Sequence, residues 1–148
     1  MNACALLVAM SMNLLGTEGP SEKEIADELA LLQGTWQIES VEVDGRKLDP
    51  TAFKDIVRIV EGNDITWKNK DQVIARTRIT FDPTKQPKRM DTTFTEGDNA
   101  DKTMLSIYEI NGDEFKICSA QFDRLRPTEF VSPPGSGVLM FKAKRVMP

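Results

Sequence analysis

Val73-Ile74-Ala75-Arg76-Thr77-Arg78-Ile79-Thr80-Phe81 is the stretch that decides the fold. Val73, Ala75, Thr77, Ile79 and Phe81 fall on one side of a period of two, and Arg76, Arg78 and Thr80 on the other. That alternation is the signature of a strand with one face in a core and one in water. Half-buried strands of this kind belong to antiparallel sheets, because parallel sheets are covered on both faces. Asp82-Pro83 ends the run, since proline cannot donate to the ladder. Arg76 and Arg78 lie either outside the barrel, which the more apolar opposite face favours, or along a polar cavity for a carboxylate.

Working outward from this strand, the same texture recurs. Thr35 to Val43 is a β-type run closed by Asp44-Gly45. Ile56 to Glu61 and Ile65 to Lys68 flank Gly62-Asn63-Asp64, a tight hairpin. Lys88 to Thr95, Thr103 to Ile110, Glu114 to Ala120 and Val138 to Val146 complete the set, with Asn111-Gly112-Asp113 as a further turn. Asp49 caps one expected helical turn over 50–55. Loops hold Arg124, Arg126 and Pro127, and then Ser132-Pro133-Pro134-Gly135-Ser136-Gly137. About eight strands at near-regular spacing, without intervening helices, disfavour a parallel sheet. The expected fold is all-β, an eight-stranded antiparallel up-and-down barrel. Such a barrel has no open edge and leaves room for its own side chains or one small ligand. A sandwich is the competing arrangement.

Ahead of the strands, Ser21 reads as an N-cap with Glu24 completing a capping box. Ile25, Leu29 and Leu32 give the amphipathic spacing of a leading helix over 22–33, with Gly34 to stop it. Residues 1–20 form a separate unit, and the barrel domain runs over 21–148. Ala3 to Leu15 has the length of a signal-peptide h-region and is too short to span a bilayer. It reads either as an export signal, sending the protein to the periplasm or the extracellular space, or as an apolar N-terminal helix of a cytoplasmic protein. No Lys or Arg precedes Lys23, so the basic n-region of a signal is missing.

Composition narrows the chemistry. The chain of 148 residues has 19 basic and 23 acidic side chains, a net charge of −4, which speaks against general binding to nucleic acid or anionic membrane. It has no histidine, which removes Ser-His-Asp and Cys-His centres, His-ligated metals and a His pH switch. No P-loop, Gly-rich dinucleotide loop or G-x-S-x-G motif occurs. Asp98, Asn99 and Asp101 are rich in oxygen but lack the calcium-loop pattern. The reading is therefore no enzyme, no cofactor and no metal. Of the two cysteines, Cys4 lies in the apolar segment and Cys118 reads as a small buried hydrophobe.

Gly34-Thr35-Trp36 at the head of the first strand matches the G-x-W of lipocalins. Further along come Ser40-Val41-Glu42-Val43-Asp44-Gly45, Pro87-Lys88-Arg89-Met90-Asp91 and Ile107-Tyr108-Glu109-Ile110-Asn111-Gly112-Asp113. Phe115-Lys116-Ile117-Cys118, Arg126-Pro127-Thr128-Glu129-Phe130 and Pro134-Gly135-Ser136-Gly137 follow. In this order, over about residues 29–146, the chain resembles the uncharacterised lipocalin-like domain widespread in planctomycete bacteria. The resemblance implies a lipocalin-type barrel in which Gly34 and Trp36 plug the closed end and Arg145, from the last strand, stacks on the tryptophan. It implies no mechanism, because the family has no established activity. Its members often carry an export signal.

Three residues stand out as candidate ligand contacts. Arg126 and Glu129 either grip a polar ligand group at the barrel mouth or form a structural corner, with Arg126 on a carboxylate or a loop carbonyl. Tyr108 either donates to an interior ligand or is a wall residue bonded to backbone. Lys88 and Arg89, with Lys85, read as a solvated strand end. Asp91, Glu109 and Glu129 are available carboxylates, but no spacing pairs them. Two functions compete. One is a binding protein for a small hydrophobic or amphipathic ligand. The other is a packed-barrel interaction or structural module of the cell envelope, with Phe81, Phe94, Phe115, Phe130 and Phe141 filling the interior. An interior cavity of several hundred cubic ångströms argues for the first.

Overall fold

The computed structural model describes residues 19–147; the apolar segment Ala3 to Leu15, with its export reading, lies outside the described residues. Helix α1 (Glu22–Leu32) begins with the capping box, Ser21 Oγ accepting from the Glu24 amide and the Glu24 carboxylate accepting from the Ser21 amide. Nine strands follow: β1 (Gly34–Val43), β2 (Arg46–Lys47), β3 (Ile56–Glu61), β4 (Asp64–Asn69), β5 (Gln72–Asp82), β6 (Lys88–Phe94), β7 (Thr103–Asn111), β8 (Glu114–Ser119) and β9 (Leu139–Arg145). A short 3-10 turn over Pro50–Ala52 is capped by Asp49. From β3 to β9 each strand pairs antiparallel with its sequence neighbour, and β1 pairs with both β3 and β9. The result is a closed eight-stranded up-and-down barrel, with the two-residue β2 as a spur on the end of β1. Among the described residues no helix is long and apolar enough to cross a membrane.

The inward set follows from strand parity, with two bulges that shift it. On β1, Trp36 and Ile38 face in; the register with β9 then slips between Ile38 and Ser40, so Val41 takes the next inward place, opposite Phe141. An even-to-odd switch of apolar residues along one strand is what a one-residue bulge accommodates. On β5, Ala75, Thr77, Ile79 and Phe81 face in as the alternation requires, and Arg76 and Arg78 lie outside, paired to Glu96 and Asp64. Opposite β4, however, Trp67 faces Ala75 while Lys68 faces Val73. Ile74 is the extra residue, and it joins the rim of the interior in place of Val73.

The turn joining β1 to β2 places Asp44 at φ 55° and Gly45 at φ 79°, the two left-handed residues of a type I′ hairpin. A Cβ on Gly45 would come within 2.9 Å of Pro134, so the glycine also lets the long loop 120–138 close over this corner. Ser132 Oγ accepts from the Gly45 amide and donates to the Val138 carbonyl, while Asp44 accepts from the Gly137 amide. This loop buries part of the barrel's outer wall. Ile107 and Cys118, cross-strand partners pointing outward, are both buried, and the Cys118 thiol donates to the Val131 carbonyl. Burial pushes that thiol up from its ordinary pKa, so it stays protonated and poorly nucleophilic.

Candidate functional site

The barrel has two unlike ends. At one end Trp36 is fully buried and its indole N–H donates to the Leu32 carbonyl at 3.0 Å. Arg145 reaches across from β9 with its guanidinium 4.3 Å from the Trp36 ring centre. Its Nη2 donates to the Leu31 carbonyl at 2.6 Å, its Nη1 to the Gln33 carbonyl and its Nε to Asp113 at 3.1 Å. These carbonyls are the ones a helix leaves without partners at its C-terminus. The last turn of α1 contains no basic residue, so Arg145 supplies both the missing donors and the positive charge that the helix end favours. Gly34, at φ 115°, keeps the space open: a Cβ there would lie 3.1 Å from Arg145 Nη1. Gly34, Trp36 and Arg145 thus form one cluster closing this end.

Beside the plug sits a buried polar triad. Glu28 lies on the apolar side of α1 and is almost wholly buried. One of its carboxylate oxygens accepts from Lys88 Nζ and from the Tyr108 hydroxyl, each at 2.8 Å. Tyr108 is therefore bonded to a side-chain carboxylate rather than to backbone. Lys88, read from sequence as a solvated strand end, turns inward to the same acid. Burial, with the Glu28 bond second, holds the Tyr108 phenol well above its ordinary pKa of 10. The folded value exceeds the unfolded one, so the stabilisation is complete below pH 10 and is lost as pH rises beyond it. Tyr108 is the only tyrosine in the chain. Its phenolate absorbance is expected to stay absent at pH values where free tyrosine has ionised, and to appear together with loss of tryptophan near-UV circular dichroism. Ionisation near pH 10 in the folded protein would contradict this arrangement.

The opposite half of the barrel holds a cavity of about 260 Å³. Ile38, Val41, Phe53, Ile56, Trp67, Met104, Leu139 and Phe141 supply apolar wall; Arg58, Thr77, Thr92 and Ser119 bring the polar atoms. Arg58 is the anomaly. It projects inward from β3, two residues along from Ile56, with 1 % of its surface exposed. Its guanidinium lies 4.6 Å from the Phe115 ring centre and 5.8 Å from that of Trp67. Its one polar contact is from Nη2 to the Met90 sulfur at 3.8 Å, a weak acceptor. Among the described residues, Arg58 Nε and Nη1 and the Thr77 hydroxyl have no hydrogen-bond partner, and no ion pair includes Arg58. Burial pushes the guanidinium down to about 9, which leaves it charged at neutral pH. Each buried unpartnered donor costs about 1–3 kcal/mol, against about 0.5–2 kcal/mol for a cation over an aromatic face.

The residues singled out from sequence lie elsewhere. Arg126 sits on loop 120–138 and donates to the Ser106 carbonyl at 2.7 Å, the Met90 carbonyl at 3.3 Å and Asp91 at 2.6 Å. That is the structural corner, pinning the loop to the outer edges of β6 and β7. Glu129 is exposed on the same loop. Neither residue lines the cavity, and nor does Tyr108. Of the phenylalanines named as filling, Phe81, Phe115 and Phe141 pack in the core, Phe94 lines the cavity and meets Phe122 edge-on, and Phe130 lies under Lys116. Sequence reasoning missed Glu28 and Arg58. Each carried a signal: a carboxylate inside the apolar stripe of a helix, and an arginine inside the run Ile56-Val57-Arg58-Ile59-Val60. Compared with protein-family models, curated proteins and solved structures, the chain matches none.

Proposed function

We propose that the protein binds a small hydrophobic or amphipathic molecule inside its barrel. The observation that carries this reading is the half-filled interior: a plug of Trp36, Phe115 and Leu32 at one end and an apolar cavity of about 260 Å³ at the other. The volume is close to the lower bound of about 300 Å³ for small-molecule pockets. A barrel built only as a packed scaffold has no use for this space, which weighs against the interaction-module reading. The proposal extends to a non-enzymatic role outside the cytoplasm. It draws there on the lack of histidine and of catalytic motifs, on the apolar segment Ala3 to Leu15, and on the resemblance to planctomycete lipocalin-like domains.

Trp67 lines the cavity, whereas Trp36 is shut in at the plugged end, so tryptophan emission reports occupancy. Titration with decanol or decanoate is expected to give a saturable change in emission. Ala75→Phe, which fills the cavity from β5, is expected to abolish it. The absence of a saturable change with either probe would overturn the reading.

A further inference from the structure

A cation buried in an apolar cavity without an anion is an incomplete arrangement. Proteins pair buried charges or supply them with hydrogen bonds, because desolvation is otherwise uncompensated. Arg58 has no anion and only a weak bond to the Met90 sulfur: three of its five N–H groups, those on Nε and Nη1, have no acceptor among the described residues. The buried carboxylate of Glu28 is already engaged by Lys88 and Tyr108 at the plugged end. Thr77, a second unpartnered donor, lines the same cavity from β5. Arg58 and Thr77 therefore line one largely apolar volume, with their orphan atoms just beneath its wall.

We infer that the ligand is an apolar monocarboxylate, bound head inward with its carboxylate on Arg58 and Thr77 and its tail between Trp67, Phe53 and Leu139. This rests on the reading of the barrel as a binding protein and adds the chemical class of what it binds. A guanidinium fork matches the two oxygens of a carboxylate. One charge is the right number, since Arg58 is the one basic residue on the cavity wall and a dianionic head would bring in a second, unpaired charge. Either bidentate face of the guanidinium, Nε with Nη2 or Nη1 with Nη2, includes Nη2, so the carboxylate takes the place of the Met90 sulfur, a weak acceptor on a flexible side chain.

Three probes with the same tail separate the head from the tail: decanoate, decanol and decylamine, titrated into the full-length protein with Trp67 emission and calorimetry as readouts. Decanoate is expected to bind about ten- to a hundredfold more tightly than decanol, the range of one charge-assisted hydrogen-bonded pair, and decylamine more weakly than either. In Arg58→Met the preference for acid over alcohol should vanish while decanol still binds, and the melting temperature should rise, because an unpartnered buried charge has gone. Thr77→Val, which removes a hydroxyl that has no partner, should lower decanoate binding severalfold and leave decanol unchanged. Equal affinity for decanoate and decanol, or an acid preference that survives in both variants, would overturn the carboxylate assignment and leave the apolar-ligand reading standing. Binding of none of the three probes would overturn both.

Discussion

A Trp36→Ala protein is expected to lose about 3–5 kcal/mol of stability, the cost of removing a fully buried large aromatic. The transfer and cavity terms are only part of the loss. The indole also satisfies the Leu32 carbonyl and gives Arg145 the face on which it rests. Without the ring, Arg145 loses a cation–π contact of about 0.5–2 kcal/mol, and its hold on the end of α1 is no longer braced. At about 3–5 °C for each kcal/mol in a domain of this size, the melting temperature should fall by about 10–20 °C. Differential scanning calorimetry checks this. Trp36→Phe, which keeps a ring and loses the N–H donor, should lie between the two. A melting temperature unchanged within about 2 °C for the alanine variant would mean that the closed end is not the keystone its geometry describes.

The second large effect is expected at Glu28. Glu28→Ala leaves the Tyr108 hydroxyl and Lys88 without their acceptor. Breaking a buried ion pair by deleting one partner costs about 3–5 kcal/mol. The lower figure applies here, because the Lys88 side chain is 30 % exposed and can turn toward water. Glu28→Gln keeps an acceptor for Tyr108 and should recover part of the loss. Chemical denaturation at pH 7 gives both numbers. The alanine variant should also show the Tyr108 phenol ionising at lower pH than in the parent, since the Glu28 bond is one of the causes of its raised value. A loss under about 1 kcal/mol would place the acid among ordinary surface pairs.

How much of this was legible in the sequence depends on the range of the interaction that decides each feature. The strands, the capping box of α1 and the Asp49 cap are written in local signals, periods of two and turn residues, and they stand where those signals put them. The alternation from Ala75 to Phe81 is clean because one face meets water and the other the core. β3 is different. Ile56-Val57-Arg58-Ile59-Val60 is apolar at both parities, so the run marks Arg58 as unusual without saying which way it faces; its register with β1 and β4 decides that. Glu28 and Tyr108 are 80 residues apart and meet only because α1 folds across the barrel end. The residues chosen for their polarity on loops, Arg126 and Glu129, illustrate the opposite error. Arg126 donates to the carbonyls of Met90 and Ser106, cross-strand partners that meet only once β6 and β7 are paired.

The chain thus spends its buried polar groups in two ways. Glu28, Lys88 and Tyr108 satisfy one another at the plugged end, whereas Arg58 and Thr77 stand unpartnered beside the cavity. On the carboxylate proposal, a ligand completes the second pair. The most direct measurement is a crystal structure of the protein grown with decanoate. Density is expected for one molecule in the barrel, with its carboxylate within hydrogen-bond distance of the Arg58 guanidinium and the Thr77 hydroxyl and its tail against Trp67. A cavity empty at saturating decanoate, or a bound molecule with its carboxylate at the mouth and Arg58 still on Met90, would contradict it.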